Sequence, residues 1–128
     1  MIALHHVQVA CPPGGEVAAR RFYGEALGLA EVEKPEVLRG RGGAWFRSRD
    51  ADGTVTAEVH VGVEHPFAAA RKAHPAFLVT DLAATAASVR AAGFEVDEGE
   101  RTTFAGFLRF HTWDGAGNRV EVLQSVAT

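Results

Sequence analysis

Cysteine is nearly missing from this chain: Cys11 stands alone among 128 residues. No intrachain disulfide can close and no thiolate zinc cage can form, so a reducing, cytoplasmic setting is the expectation. Long apolar runs are missing too, and nothing approaches the roughly 20 residues that a membrane helix needs. The opening Met1-Ile2-Ala3-Leu4-His5-His6 has neither the basic start nor the apolar core of a secretory signal, so no leader is expected. Positive charge is not in excess. With 13 Lys and Arg against 16 Asp and Glu, the net charge is −3, and neither nucleic acid nor an anionic membrane is expected as a partner.

What is present suits a folded domain. A hydrophobic content of 47% with 23% charged residues excludes a disordered chain, and the length suits one compact domain. Residues 4–10 read as a strand ended by Pro12-Pro13-Gly14-Gly15. Ala18, Ala19, Phe22 and Ala26 recur at helical spacing over 16–27, and Gly28 is placed to stop that helix. Short strands are expected over 29–32 and 44–47, with a loop over 35–43 between them. A turn at Asp50-Ala51-Asp52-Gly53 leads to a β-prone run over 54–63. After a linker over 64–73 the order repeats. A strand over 74–79 precedes a helix capped by Asp81, then come short strands over 94–96, 107–113 and 119–126. The expected fold is therefore α+β, two tandem βαβββ modules (1–63 and 74–128) forming one domain with a curved sheet around a cleft.

Residues at i and i+2 of a strand share a face. His6 then points with Gln8, Glu58 with His60, His74 with Ala76 and Leu78, and Glu121 with Arg119 and Leu123. If those faces line the cleft, His6, Glu58, His74 and Glu121 converge. Two imidazoles and two carboxylates suit a divalent metal such as Ni, Co, Zn, Mn or Fe. On the run Phe107-Leu108-Arg109-Phe110-His111-Thr112-Trp113, alternation groups Arg109, His111 and Trp113 on one face, where Arg109 could hold an anionic group. Of Trp45 and Phe46, one should face the cleft and the other the core. Phe22 reads as core and Cys11 as an inert small residue.

Four segments also carry a resemblance: His6-Val-Gln-Val, Phe22-Tyr-Gly-Glu-Ala-Leu-Gly-Leu29, His74-Pro-Ala-Phe-Leu-Val-Thr-Asp81 and Asp114-Gly-Ala-Gly-Asn-Arg-Val-Glu121. Together they make nearly the whole chain resemble the vicinal oxygen chelate superfamily, which includes glyoxalase I, bleomycin- and fosfomycin-resistance proteins and extradiol dioxygenases. The resemblance implies a metal held by the first- and last-strand residues of each module, which here are His6, His74 and Glu121 with either Glu58 or His60. His5 is then structural. It also implies homodimers whose partner copy helps to complete the cleft. No glutathione-binding pattern is recognisable among Arg20, Arg21, Arg39, Arg41, Arg101 and Arg109. Gly115 stands where the family usually has proline, a change expected to alter only the shape of the loop.

The function expected from these readings is that of a metal-dependent lyase, isomerase or epimerase of the glyoxalase type. Its small oxygen-rich substrate would chelate the metal, with Glu58 or Glu121 as the catalytic base and Trp45, Arg109, His111 and Trp113 as binding residues. The alternatives are a metal-free protein of the bleomycin-resistance type that sequesters a drug or metabolite, an Fe(II) extradiol-type dioxygenase, and a transferase like the fosfomycin-resistance enzymes.

Overall fold

The computed structural model describes residues 1–126. The βαβββ order occurs twice. In the first module β1 (Val7–Cys11) precedes α1 (Glu16–Ala19), which continues without a break as a π-helical segment (Arg20–Ala26). Then follow β2 (Ala30–Val32), β3 (Ala44–Arg49) and β4 (Val55–Val63). The second module contains β5 (Ala76–Leu78), α2 (Leu82–Ala91), β6 (Val96–Asp97), β7 (Phe107–Trp113) and β8 (Arg119–Ser125). Each module is one mixed four-stranded sheet, ordered β1-β4-β3-β2 and β5-β8-β7-β6, and the sheets do not close into a barrel. No helix among the described residues is long and apolar enough to cross a membrane.

The elements follow local chemistry. Asp81 caps α2 by accepting a hydrogen bond from the Ala84 amide at 3.0 Å. Gly28 takes φ +77° where the first helix ends, a conformation that costs glycine little. Several details depart from the sequence reading, among them the strands expected over 74–79 and 94–96, which are Ala76–Leu78 and Val96–Asp97. The expected loop over 35–43 contains a 3-10 turn, Glu36–Arg41. The first strand starts at Val7, so His6 sits just ahead of it.

Alternation along the strands creates two faces. Phe46, Val59, Phe110, Val120 and Val122 are fully buried and pack with Phe22, Tyr23, Leu82 and Val89 from the helical segments. The buried apolar side chains of both modules form a single cluster. The opposite faces carry Trp45, Arg47, Glu58 and His60 in one sheet and Arg109, His111 and Glu121 in the other.

The modules are locked together by the turn Asp114–Asn118. Tyr23 Oη donates to Asp114 Oδ2 at 2.7 Å, and Asn118 Nδ2 donates to the same oxygen at 3.0 Å and to Ala10 O at 2.7 Å. Asp114 Oδ1 accepts from the amides of Ala116 and Asn118. Asn118 Oδ1 accepts from Ala70 N and so fixes the linker. Burial beside the Asp114 carboxylate pushes the Tyr23 hydroxyl well above its ordinary pKa of 10.0. Gly115 lies against the first helix, where a Cβ would collide with the side chain of Ala18. Glycine at this position lets the turn approach the first helix closely.

Candidate metal and substrate site

On the first module, strand register sets Arg47 opposite Glu58, and both Trp45 and Gln8 opposite His60. Arg47 Nε donates to Glu58 Oε1 at 2.6 Å, and His60 Nε2 donates to Glu58 Oε2 at 2.8 Å. The His60 ring is sandwiched, with the Trp45 indole stacked at 3.7 Å on one neighbour contact and the His6 imidazole at 4.0 Å on the other. His5 Nδ1 lies 3.0 Å from His6 Nδ1. Burial lowers the His60 pKa below its ordinary 6.5. The bond to Glu58 pulls it back up, His6 pushes it down again, and the balance stays low. Burial pushes Glu58 upward, but the bonds from His60 and Arg47 outweigh it and the carboxyl ends below 4.5. His60 is therefore neutral near pH 7, and Arg47 is the charge that keeps Glu58 ionised.

The second module has a matching set. Hairpin register places His111 opposite Glu121. His74 Nδ1 donates to Lys72 O at 2.8 Å, while its Nε2 faces Glu121 Oε1 at 2.9 Å. Arg109 Nη1 donates to Glu121 Oε2 at 3.3 Å, and His111 Nε2 lies 3.9 Å from Glu121 Oε1. His74, His111 and Glu121 each offer a ligand atom within 4.8 Å of the others, and they form the only such trio among the described residues. Burial lowers the His111 pKa, with Arg119 adding to the effect and Glu121 opposing it. Burial raises Glu121, but its contacts with His74 and Arg109 prevail and bring it below 4.5.

These residues fit a divalent metal. With Nδ1–H committed to a carbonyl, a neutral His74 turns an Nε2 lone pair toward a carboxylate oxygen. Two lone pairs at that distance need a cation or a proton between them. A backbone carbonyl on the remote nitrogen is also how metal-binding histidines are usually oriented. Two imidazoles and a carboxylate, with positions left open, suit first-row divalent ions.

The expected four-residue set is only partly assembled within one chain. His74 and Glu121 meet, and His111, expected as a binding residue, joins them. His6 and Glu58 stay outside that trio, although with His74 they line one groove of about 400 Å³ that Pro75, Ala76 and Phe77 also border. Glu58 bonds to His60, so the two candidates for the second position sit side by side. Trp45 faces the His60 side while Phe46 is buried in the core. Trp113 is half-buried opposite Arg119. Arg109 commits its donors to Glu121, to Thr103 Oγ1 at 2.8 Å and to Glu100 O at 3.2 Å. Arg47 was missing from the sequence reading. Its only signal was its place across the β3–β4 hairpin from Glu58, and a bulge at Ser48/Arg49 disturbs that count.

Comparison with known proteins places this geometry. The family model described as "Glyoxalase/Bleomycin resistance protein/Dioxygenase superfamily" matches residues 4–122. A solved glyoxalase family protein from Bacillus anthracis is 38% identical, with a TM-score of 0.84 over 98% of this chain and 97% of that one. A glyoxalase/dioxygenase from Nostoc punctiforme is 19% identical, with a TM-score of 0.73 and coverage of 98% and 92%. The fosfomycin resistance protein FosX from Listeria monocytogenes is 14% identical, with a TM-score of 0.71 and coverage of 98% and 94%. At these last two identities the likeness is one of fold. No curated protein matches the chain.

Proposed function

The chain belongs to the Glyoxalase/Bleomycin resistance protein/Dioxygenase superfamily, and from that premise we propose that it is a metal-dependent enzyme of the glyoxalase type acting on a small oxygen-rich molecule. The observation that carries this reading is the His74 Nε2 turned onto the Glu121 carboxylate beside His111. A divalent ion on these three residues would supply Lewis-acid stabilisation of the negative charge that develops on two neighbouring substrate oxygens.

The protein's own residues have distinct tasks in this scheme. His74, oriented by Lys72 O, and His111, kept neutral by burial, present imidazole nitrogens. Glu121 adds one carboxylate oxygen while Arg109 holds the other. Glu58 borders the groove that His74 also lines and is ionised, so it is the carboxylate placed to take a proton from a carbon next to the chelating oxygens, with a basicity that its bonds to His60 and Arg47 reduce. His60 steadies that carboxylate from its stacked position. We further infer a homodimer, because His6 and Glu58 remain outside the trio in a single chain and a second copy could complete the set.

The deciding experiment is metal titration and elemental analysis of untagged protein beside His74→Ala and Glu121→Gln. About one divalent ion per chain is expected. Loss of an outer hydrogen-bond partner alone weakens metal binding about 10–100-fold, so loss of a ligand should weaken it further. Unchanged stoichiometry and affinity in both variants would sink the assignment. No binding by the wild-type protein would leave the ligand-sequestering reading in its place. Bound iron would direct assays to oxygen chemistry, and nickel, cobalt or zinc to isomerase and epimerase chemistry.

A further inference from the structure

Next to the Trp45–His60 stack the sheet face continues under the 3-10 turn Glu36–Arg41. The turn borders it and leaves a half-open cavity of about 190 Å³. Its walls include Gln8, Lys34, Arg41, Trp45, His60 and Gly62. A pocket for a whole small molecule is usually about 300–1,000 Å³, so this one is sized for a single group of a larger ligand.

The charge in the cavity is of one sign. Lys34 and Arg41 both line it and no carboxylate does. Glu16, the acid that reaches this loop, is held by the Gly43 amide at 3.2 Å and is not part of the lining. Arg39, in the same turn, is engaged with Glu33 and with Lys34 O. Arg41 has no such partner among the described residues, and neither has the side-chain amide of Gln8. Lys34 Nζ donates to Gly42 O, which clasps the base of the turn and leaves two further N–H donors. Gly62 follows Glu58 and His60 on the same strand face, and a Cβ there would meet Gln8 Nε2 at 2.5 Å. The glycine leaves the floor bare and gives the Gln8 amide its place above it.

We propose that this cavity is an oxyanion seat, taking one carboxylate or phosphoryl group of the substrate on Arg41 and Lys34 with Gln8 as a neutral donor. The arrangement follows from charge and reach. A guanidinium and an ammonium bind such oxygens through charge-assisted hydrogen bonds. His60 is a wall of the cavity, His6 stacks on His60, and His6 lines the groove with Glu58 and His74. A substrate with its anionic end under the turn would extend past the Trp45–His60–His6 stack toward the groove that His74 borders. The inference rests on the enzyme reading for the second half of that statement only. The substrate class it names is a small oxygen-rich anion.

The test uses chelator-treated full-length protein followed by 1H–15N NMR, with inorganic phosphate and acetate as probes at constant ionic strength. Saturable shifts are expected at the Trp45 indole N–H and at the Gly42 and Gly62 amides. The stronger probe identifies the preferred group. Arg41→Gln should weaken binding about tenfold while leaving the rest of the spectrum in place, and Lys34→Gln should weaken it similarly with added shifts confined to the turn whose Gly42 O it releases. Arg71→Gln, an exposed linker arginine, should leave it unchanged. Equal binding by Arg41→Gln, or shifts that do not saturate and that chloride reproduces, would overturn the proposal. Metal binding at His74 and Glu121 is read separately on the same samples. Failure of the metal site and failure of the anion seat are therefore distinguishable.

Discussion

His60 shows how much of this site rests on ring contacts. Its neutral state depends chiefly on burial between Trp45 and His6, against the pull of Glu58. Trp45→Ala should open that sandwich, let water reach the ring, and raise the His60 pKa toward 6.5, as followed by NMR titration of its ring protons. An unchanged titration would show that Trp45 does not shield it. Tyr23 is the corresponding residue in the core. Tyr23→Phe removes the donor to the buried Asp114 carboxylate and should cost about 1–3 kcal/mol in denaturant unfolding. The Asp114 motif was legible as a turn, but its carboxylate's partner lies 91 positions away in sequence, where no local pattern reaches.

At the scale of elements, the hairpins explain what sequence counting could and could not find. Around the regular turn at Asp114–Asn118, Trp113 pairs with Arg119, so His111 falls opposite Glu121 by simple counting. Around Asp50–Thr54 the bulge at Ser48/Arg49 shifts the register, and the Arg47–Glu58 pair is hidden from such a count. Gly115 belongs to the same scale, because it lets one hairpin turn touch the helix of the other module. Gly115→Ala should destabilise the fold by about 1–3 kcal/mol through overpacking against Ala18. Ala18→Gly in the same chain should recover part of that loss, and a thermal or denaturant double-mutant cycle measures the coupling. Purely additive effects would place the cost elsewhere.

For the molecule as a whole, the buried histidines and glutamates of the two sheet faces act in one direction. His60 and His111 have folded pKa values below 6.5, so the unfolded chain binds more protons and stability declines as pH falls below 6.5. Glu58 and Glu121 have folded values below 4.5. Their contribution is present above 4.5 and is lost as pH falls further, through the folded values. Metal-free protein should therefore lose thermal stability in two successive stages on acidification, measured as melting temperature against pH. A flat profile from pH 7 to 5 would contradict the buried, neutral histidines. The inferred dimer belongs to this scale as well. Light scattering should give twice the chain mass, and a monomer would require His6 and Glu58 to serve some other purpose.

The sequence by itself determined the repeated βαβββ order, the strand faces and the residue types on them. Those depend on alternation, helical spacing and turn chemistry, all of which act over a few neighbours. Val59 and Val61 against Glu58 and His60 is such a case. Only the tertiary structure decided which of the face residues meet. Parallel pairing of β1 with β4 and of β5 with β8 joins segments far apart in the chain, and it brings His6 onto His60 and His74 onto Glu121. Sequence spacing set Glu58 and His60 against each other, whereas the fold bonds Glu58 to both His60 and Arg47. Distances between distant strands depend on sheet twist and on the packing of helices against them, which no single segment encodes.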